Sequence, residues 1–226
     1  MSKHFKLVLL IRFLGYFTLL FGIVSLFIIF GPIAKAEFEF RKDTILGVKR
    51  SVAPIIITSA GNQEGLGSFG DIKASSDMIT PVDTNFSIVI EKLNANAKIV
   101  ANVDPGNERE YSKALSQGVA HAKGTNFPGE KGNIYLFSHS TDAPWNIVRF
   151  NAVFYLLREL NAGDRVIVFY QDKRYDYIVM DKTIAEPNDV SFLTNVYDTS
   201  ILTLQTCDPP GTLFKRLIIR AKLAGS

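Results

Sequence analysis

The sequence predicts a mainly β domain, an antiparallel barrel or sandwich with short decorating helices, behind one N-terminal transmembrane helix. Three observations carry this. Residues 13–33 (FLGYFTLLFGIVSLFIIFGPI) form an uncharged apolar run long enough to cross a bilayer. From about Pro81 onward, short apolar stretches alternate with polar residues at a period of two and are separated by turn residues. These stretches are joined mostly by short turns, without a helix between each pair, which argues for antiparallel pairing.

The elements follow in chain order. At ~1.5 Å per residue the apolar run spans roughly 30 Å, the thickness of a hydrocarbon core. Phe, Leu and Ile occur on every face of it, so it is not an amphipathic surface helix. Ala34-Lys35-Ala36 has the small-x-small pattern of a signal-peptide cleavage site. Signal apolar regions are only about 7–15 residues long, so an uncleaved anchor is expected, with residues 1–12 as a short cytoplasmic tail. Lys3, Lys6 and Arg12 precede the run, but Lys35, Arg41, Lys42, Lys49 and Arg50 follow it. The basic-residue count therefore does not itself place the C-terminal domain outside the cell; that placement is expected from the motifs below.

Residues 34–80 read as a stalk. Ile55-Ile56-Ile57 suits a short strand, and Gly61 to Ser76 is Gly- and Ser-rich without helical or strand period, as in a flexible spacer. Residues 81–226 form the folded domain. Its expected strands include one around Phe86, Ile88 and Ile90, and Ile99–Val103 closed by the turn Asp104-Pro105-Gly106-Asn107. Glu108–Gln117 suits a short helix stopped by Gly118, and Asn133–His139 a further strand. Ile147, Phe150, Val153, Phe154, Leu157 and Leu160 fall on one helical stripe that ends before Gly163. Arg165–Tyr170 with Tyr175–Met180, and Ile201–Cys207 with Leu213–Leu223, read as two hairpins.

Net charge is only +3, and the basic residues are scattered among acidic ones, which makes nucleic acid a poor partner. There is one cysteine, so no intramolecular disulfide forms. In the strand Ile201–Cys207 the leucines Leu202 and Leu204 share a face with Thr206, which puts Cys207 on the more polar face at the strand's end. That position suits an exposed thiol better than a buried one. Free Cys titrates at about 8.5, so a reactive thiol needs a base or cation beside it. His139 and His121 are the candidate bases, since His4 precedes the membrane run. Arg216 and Arg220 share a face of the last strand; Arg216 lies nearer the Cys207 end of the hairpin by about 13 Å and is the preferred oxyanion partner.

Thr203-Leu204-Gln205-Thr206-Cys207 resembles the TLxTC motif of sortases, the cell-surface cysteine transpeptidases. Gly118-Val119-Ala120-His121 with Phe127-Pro128-Gly129 resembles the segment before that family's catalytic histidine, and Ser138-His139 stands where that histidine is expected. Leu160-Asn161-Ala162-Gly163-Asp164 is similar to the turn after the family's helix, and Arg216-Leu217-Ile218-Ile219 to its catalytic-arginine strand. A departure is Ser140-Thr141-Asp142 after the histidine, where many members carry a basic residue at once.

The resemblance, over roughly residues 82–223, implies an eight-stranded antiparallel β-barrel. It further implies a catalytic trio of His139, Cys207 and Arg216, with His121 and Thr206 as substrate-lining residues. The implied reaction cleaves a C-terminal LPxTG-like sorting motif on membrane-tethered surface proteins, through a thioester on Cys207. The acyl group then passes to an amine of the cell wall or a pilin, and no metal or organic cofactor is required. Two alternatives stay open: a non-catalytic tethered β-domain that binds peptide or wall, and a hydrolytic cysteine endopeptidase using the same trio. A zinc site lacks the paired-ligand spacing.

Overall fold

The computed structural model describes residues 3–52, 78–140 and 153–225. Helix α1 (Lys3–Leu46) runs unbroken through and beyond the apolar run. Its stretch His4–Ile28 is long and apolar enough to cross a membrane and is not buried by the rest of the chain. Beyond α1, β1 (Ser51–Val52) pairs in parallel with β2 (Met78–Ile79). Part of the expected stalk is thus built structure: helix to Leu46, then the strand Ser51–Val52 paired with Met78–Ile79. The Ile55-Ile56-Ile57 strand and the Gly61 to Ser76 spacer lie outside the described residues.

Eight strands close into a barrel. They are β3 (Phe86–Ile90), β4 (Ala95–Val103), β5 (Val119–Ala122), β6 (Gly132–Phe137), β7 (Arg165–Tyr170), β8 (Lys173–Ala185), β9 (Ser200–Asp208) and β10 (Lys215–Leu223). The order around the barrel is β10-β8-β7-β3-β4-β5-β6-β9. The pairs β4/β5 and β6/β9 are parallel and the others antiparallel, a refinement of the all-antiparallel expectation. Parallel neighbours need a crossover rather than a tight turn. The first is made through α2 (Glu108–Leu115), and the second spans β7 and β8.

Period-two alternation sends Ile88, Ile90, Ile134, Leu136, Leu202 and Leu204 into one continuous core. Fully burying each such side chain stabilises by roughly 1.5–3 kcal/mol before entropy is counted. A second apolar layer lies outside the barrel, where Ala114 and Leu115 of α2 cover Ala120, Ala122, Tyr135 and Phe137. Strand β5 is covered on both faces, and all four of its residues are buried. Its VAHA sequence therefore shows no polar alternation, which is why it did not read as a strand.

The α2 start is capped by Asn107, whose side chain accepts from the Glu110 N–H. The β7–β8 hairpin turns on Gln171 and Asp172 alone, both in the left-handed region at φ 49° and 60°, which matches the twist of the flanking strands. Of the expected helix over Ile147–Leu160, residues 141–152 lie outside the described residues. The remainder is a turn and a 3-10 helix (Leu157–Glu159) rather than an α-helix, although Val153, Phe154, Leu157 and Leu160 are all buried as the stripe required.

Candidate active site

Strands β6 and β9 run side by side in the same direction, with Phe137 opposite Gln205. The ladder continues one step further, since the Ser138 N–H donates to the Gln205 carbonyl at 3.1 Å. Thr206 Oγ1 reinforces it by donating to the Ser138 carbonyl at 3.0 Å. On the other edge of β9, Arg216 of β10 is the Cα partner of Cys207. Neighbouring strands lie ~4.8 Å apart, so Cys207 and Arg216 are neighbours across β9 and β10, and His139 follows two residues after the end of β6, on the other side of β9.

The pleat puts this row on the outer surface. Leu202 and Leu204 point into the barrel, as do Ile134, Leu136, Leu217 and Ile219. Their alternates on β9 and β10, Cys207 and Arg216, therefore face outward, as do Asn133, Tyr135 and Phe137 on β6. Cys207 and His139 are half-buried, open enough for a substrate yet partly screened from water.

The two candidate arginines differ in what they hold. Arg220 grips Asp181 with two bonds, Nε to Oδ1 at 2.9 Å and Nη2 to Oδ2 at 2.7 Å, and Nη1 reaches the Tyr197 hydroxyl at 3.4 Å. The Asp181 carboxylate, followed by Tyr197, raises the guanidinium pKa above its ordinary value. Arg216 instead donates Nη1 to the carbonyls of Leu213 and Lys215, at 3.3 and 3.1 Å. Among the described residues no carboxylate forms an ion pair with it. A guanidinium beside the thiol with capacity left for an oxyanion is the arrangement that acyl transfer needs.

The two residues expected to line the substrate site are both buried. His121 is fully buried inside the barrel, its ring edge-on to Phe86 at 5.7 Å and 4.6 Å from Phe127. Nδ1 accepts the Asn102 N–H at 3.3 Å, which places the proton on Nε2, facing the Asn126 carbonyl at 3.0 Å. Burial lowers its pKa, partly opposed by that carbonyl. His121 is a neutral structural imidazole on the opposite face of the sheet from Cys207. Thr206 is likewise inward and buried, its hydroxyl committed to Ser138. Strand parity gives both residues the inner face, whereas Cys207 has the outer one.

Polar groups on the outer face were not singled out from sequence. The Tyr135 hydroxyl donates to Gln205 Oε1, two residues before the cysteine. Burial pushes the Tyr135 pKa up, so the phenol stays protonated as a donor. Asn133 accepts from Thr203 Oγ1 at 2.8 Å and donates to the carbonyls of Phe192 and Leu193 at 2.8 and 3.3 Å. It thereby ties α3 (Ser191–Thr194), in the loop between β8 and β9, to the barrel. The available signal was parity alone, since Asn133, Tyr135 and Phe137 are alternate residues of β6.

Comparisons with known proteins agree with this architecture. The family model for the sortase domain matches residues 88–224. The chain is 29% identical over 136 residues to Sortase D of Bacillus subtilis (strain 168), covering 59% of this chain. It spans 60% of the length of that relative. Among solved structures, a Clostridium perfringens Sortase D5 transpeptidase superposes with a TM-score of 0.51 at 25% identity, covering 63% of this chain and 80% of that one. Sortase C-1 from Actinomyces oris gives 0.52 at 26% identity, covering 64% and 76%. With more than half of its residues matched by the family's domain and the barrel closed in the family's manner, the chain belongs to the sortase family.

Proposed function

We propose that this chain is a membrane-anchored cysteine transpeptidase that cleaves an LPxTG-like sorting motif and passes the acyl group to an amine of the cell wall or a pilin. The observation that supports the reading is that Arg216 is the cross-strand partner of Cys207, while on the other side of β9 the parallel strand β6 ends at Phe137, two residues before His139. Residues 13–33 serve as the anchor, residues 1–12 as the cytoplasmic tail, and 81–226 as an extracytoplasmic catalytic domain.

The Cys207 thiolate attacks the carbonyl carbon after the motif's Thr-like residue. A C–S bond forms, and Arg216 holds the oxyanion. As the intermediate collapses, the C–N bond breaks and His139, as imidazolium, gives its proton to the leaving amine. An incoming amine then attacks the thioester and transfers a proton to His139. The new C–N bond forms, the C–S bond breaks, and the thiolate is restored. Thr206 contributes indirectly, holding Ser138 and so the strand end that carries His139.

The test is incubation of the full chain in detergent or nanodiscs with a library of LPxTG-like peptides and an amine acceptor, read by mass spectrometry. The expected result is an acyl adduct on Cys207 and ligated product, both lost in Cys207→Ala and product lost in His139→Ala. Adduct with hydrolysed product alone, across a panel of amines, would replace the transferase by an endopeptidase. An unreactive Cys207 with peptide still bound would leave a binding domain.

A further inference from the structure

The part of α1 beyond the apolar run is built onto the barrel. Phe40 packs against the barrel core. Glu37 Oε2 accepts from Arg158 Nη2 at 3.3 Å, Arg50 closes on Asp43, and the Val52 N–H donates to Glu91 Oε1 at 3.0 Å. Ala36, Glu39, Phe40 and Asp43 follow helical i, i+3, i+4, i+7 spacing, so one face of the helix turns to the barrel. Between them lies a cleft of about 560 Å³, its barrel wall formed by residues 92–96 with Val153, Tyr155 and Leu156.

That wall belongs to one identifiable end of the barrel. Strand β3 finishes at Ile90 and β4 begins at Ala95 there. Strand β4 is parallel to β5 with Ile99 opposite Val119, β5 is antiparallel to β6 with Ala120 opposite Phe137, and β6 is parallel to β9. Moving along β9 toward Cys207 is therefore moving toward Ala95 on β4. The helix docks on the same end of the barrel that carries the candidate trio.

The spacing to lipid is short. From Ile33 to Glu37 is four helical residues, ~6 Å of rise. A flexible tether over 34–80 would instead let the barrel wander roughly 35–40 Å from the bilayer. We infer that residues Ala36–Asp43 of α1 clamp the barrel with its active-site end toward the bilayer, so that this docked helix, and not a flexible stalk, sets the distance from the lipid at which a scissile bond is reached. This rests on the reading of residues 13–33 as an anchor and of the trio as catalytic.

The test uses the full chain in phosphatidylglycerol/phosphatidylcholine vesicles. Substrates carry the motif on a transmembrane peptide through Gly-Ser spacers of about 3 to about 30 residues; the same motif as a soluble peptide is the control. The expected result is faster cleavage at short spacers, about tenfold or more. A Gly-Ser insertion between Lys35 and Ala36 should flatten that preference and leave soluble-peptide turnover unchanged. Glu37→Arg should do so in part, and Glu37→Arg with Arg158→Glu should restore it. Soluble turnover without spacer preference, or a preference unmoved by the insertion, overturns the inference. If the soluble peptide is never turned over, the catalytic reading has failed instead. The clamp is then judged alone, in the Cys207→Ala chain carrying Glu37→Cys and Arg158→Cys. A short bis-maleimide should join the two positions within one chain, and absence of that link refutes the docking.

Discussion

Replacing Arg216 and Arg220 separately by Ala separates chemistry from scaffolding, because the two side chains sit on one strand face and differ in what they touch. Arg216 pairs across from Cys207 and holds only backbone carbonyls among the described residues. Losing one oxyanion donor typically costs about 10²–10³ in kcat, or ~2.7–4 kcal/mol of transition-state stabilisation. Arg216→Ala is expected to fall in that range with little change in thermal stability. Arg220 is two pleats further along β10, opposite Thr203, and its guanidinium is bound to Asp181. Their side chains are 28% and 38% exposed, so solvent screens the pair and its loss is worth about 1 kcal/mol at most. Arg220→Ala should lower Tm by roughly 2–4 °C and change kcat by less than about threefold. The assay is acyl-transfer kinetics on peptide alongside thermal unfolding of the same preparations. Equal losses of kcat in both variants, or a larger loss for Arg220→Ala, would refute the assignment of Arg216 drawn from register.

Three further outcomes are expected. Because burial depresses the His121 pKa, the unfolded chain takes up a proton below about pH 6.5 before the folded one does. Stability is therefore full above that pH and lost as pH falls toward the folded pKa. His121→Gln should flatten this slope in unfolding midpoints measured across pH 5–8, and an unchanged slope would place the titration elsewhere. Asn133→Ala frees the carbonyls of Phe192 and Leu193 from the barrel; KM should rise several-fold with kcat less affected, and an effect on kcat alone would contradict a loop-positioning role. A Cβ at Gly118 would stand 2.2 Å from the Lys98 carbonyl oxygen, so Gly118→Ala should force β4 and β5 apart and destabilise by about 1–3 kcal/mol, visible as a lowered Tm.

The position of the thiol was legible from the chain alone, because strand parity is local. Leu202 and Leu204 enter the core, and Cys207 has the opposite parity whatever surrounds the strand. The same parity rule had already put Thr206 on the face of Leu202 and Leu204, where the structure buries it, while His121 had no parity to follow because its strand was not recognised. Strand β5 escaped notice because α2 covers its outer face and removes the alternation that marks a half-exposed strand. For its described members, Val153, Phe154, Leu157 and Leu160, the helical stripe was correct about burial and wrong about the backbone, since the end of a barrel can bury a tight turn as well as a helix.

By itself the sequence determined the apolar helix, the period-two strands, the two hairpins and the outward face of Cys207. Each depends on residues within a few positions of one another. Tertiary structure decided what stands beside that thiol. The strand that leads to His139 runs beside that of Cys207 through a parallel pairing across a separation of 68 residues, Phe137 to Gln205, and no local pattern records which strands become neighbours. The course of residues 34–52 was decided in the same way. In the sequence they read only as the first part of a stalk over 34–80; in the fold the barrel supplies Arg158, Glu91 and a core surface for Glu37, Val52 and Phe40 to meet. Burial and pairing are properties of the partner surface as much as of the segment, and only the folded chain brings that surface to it.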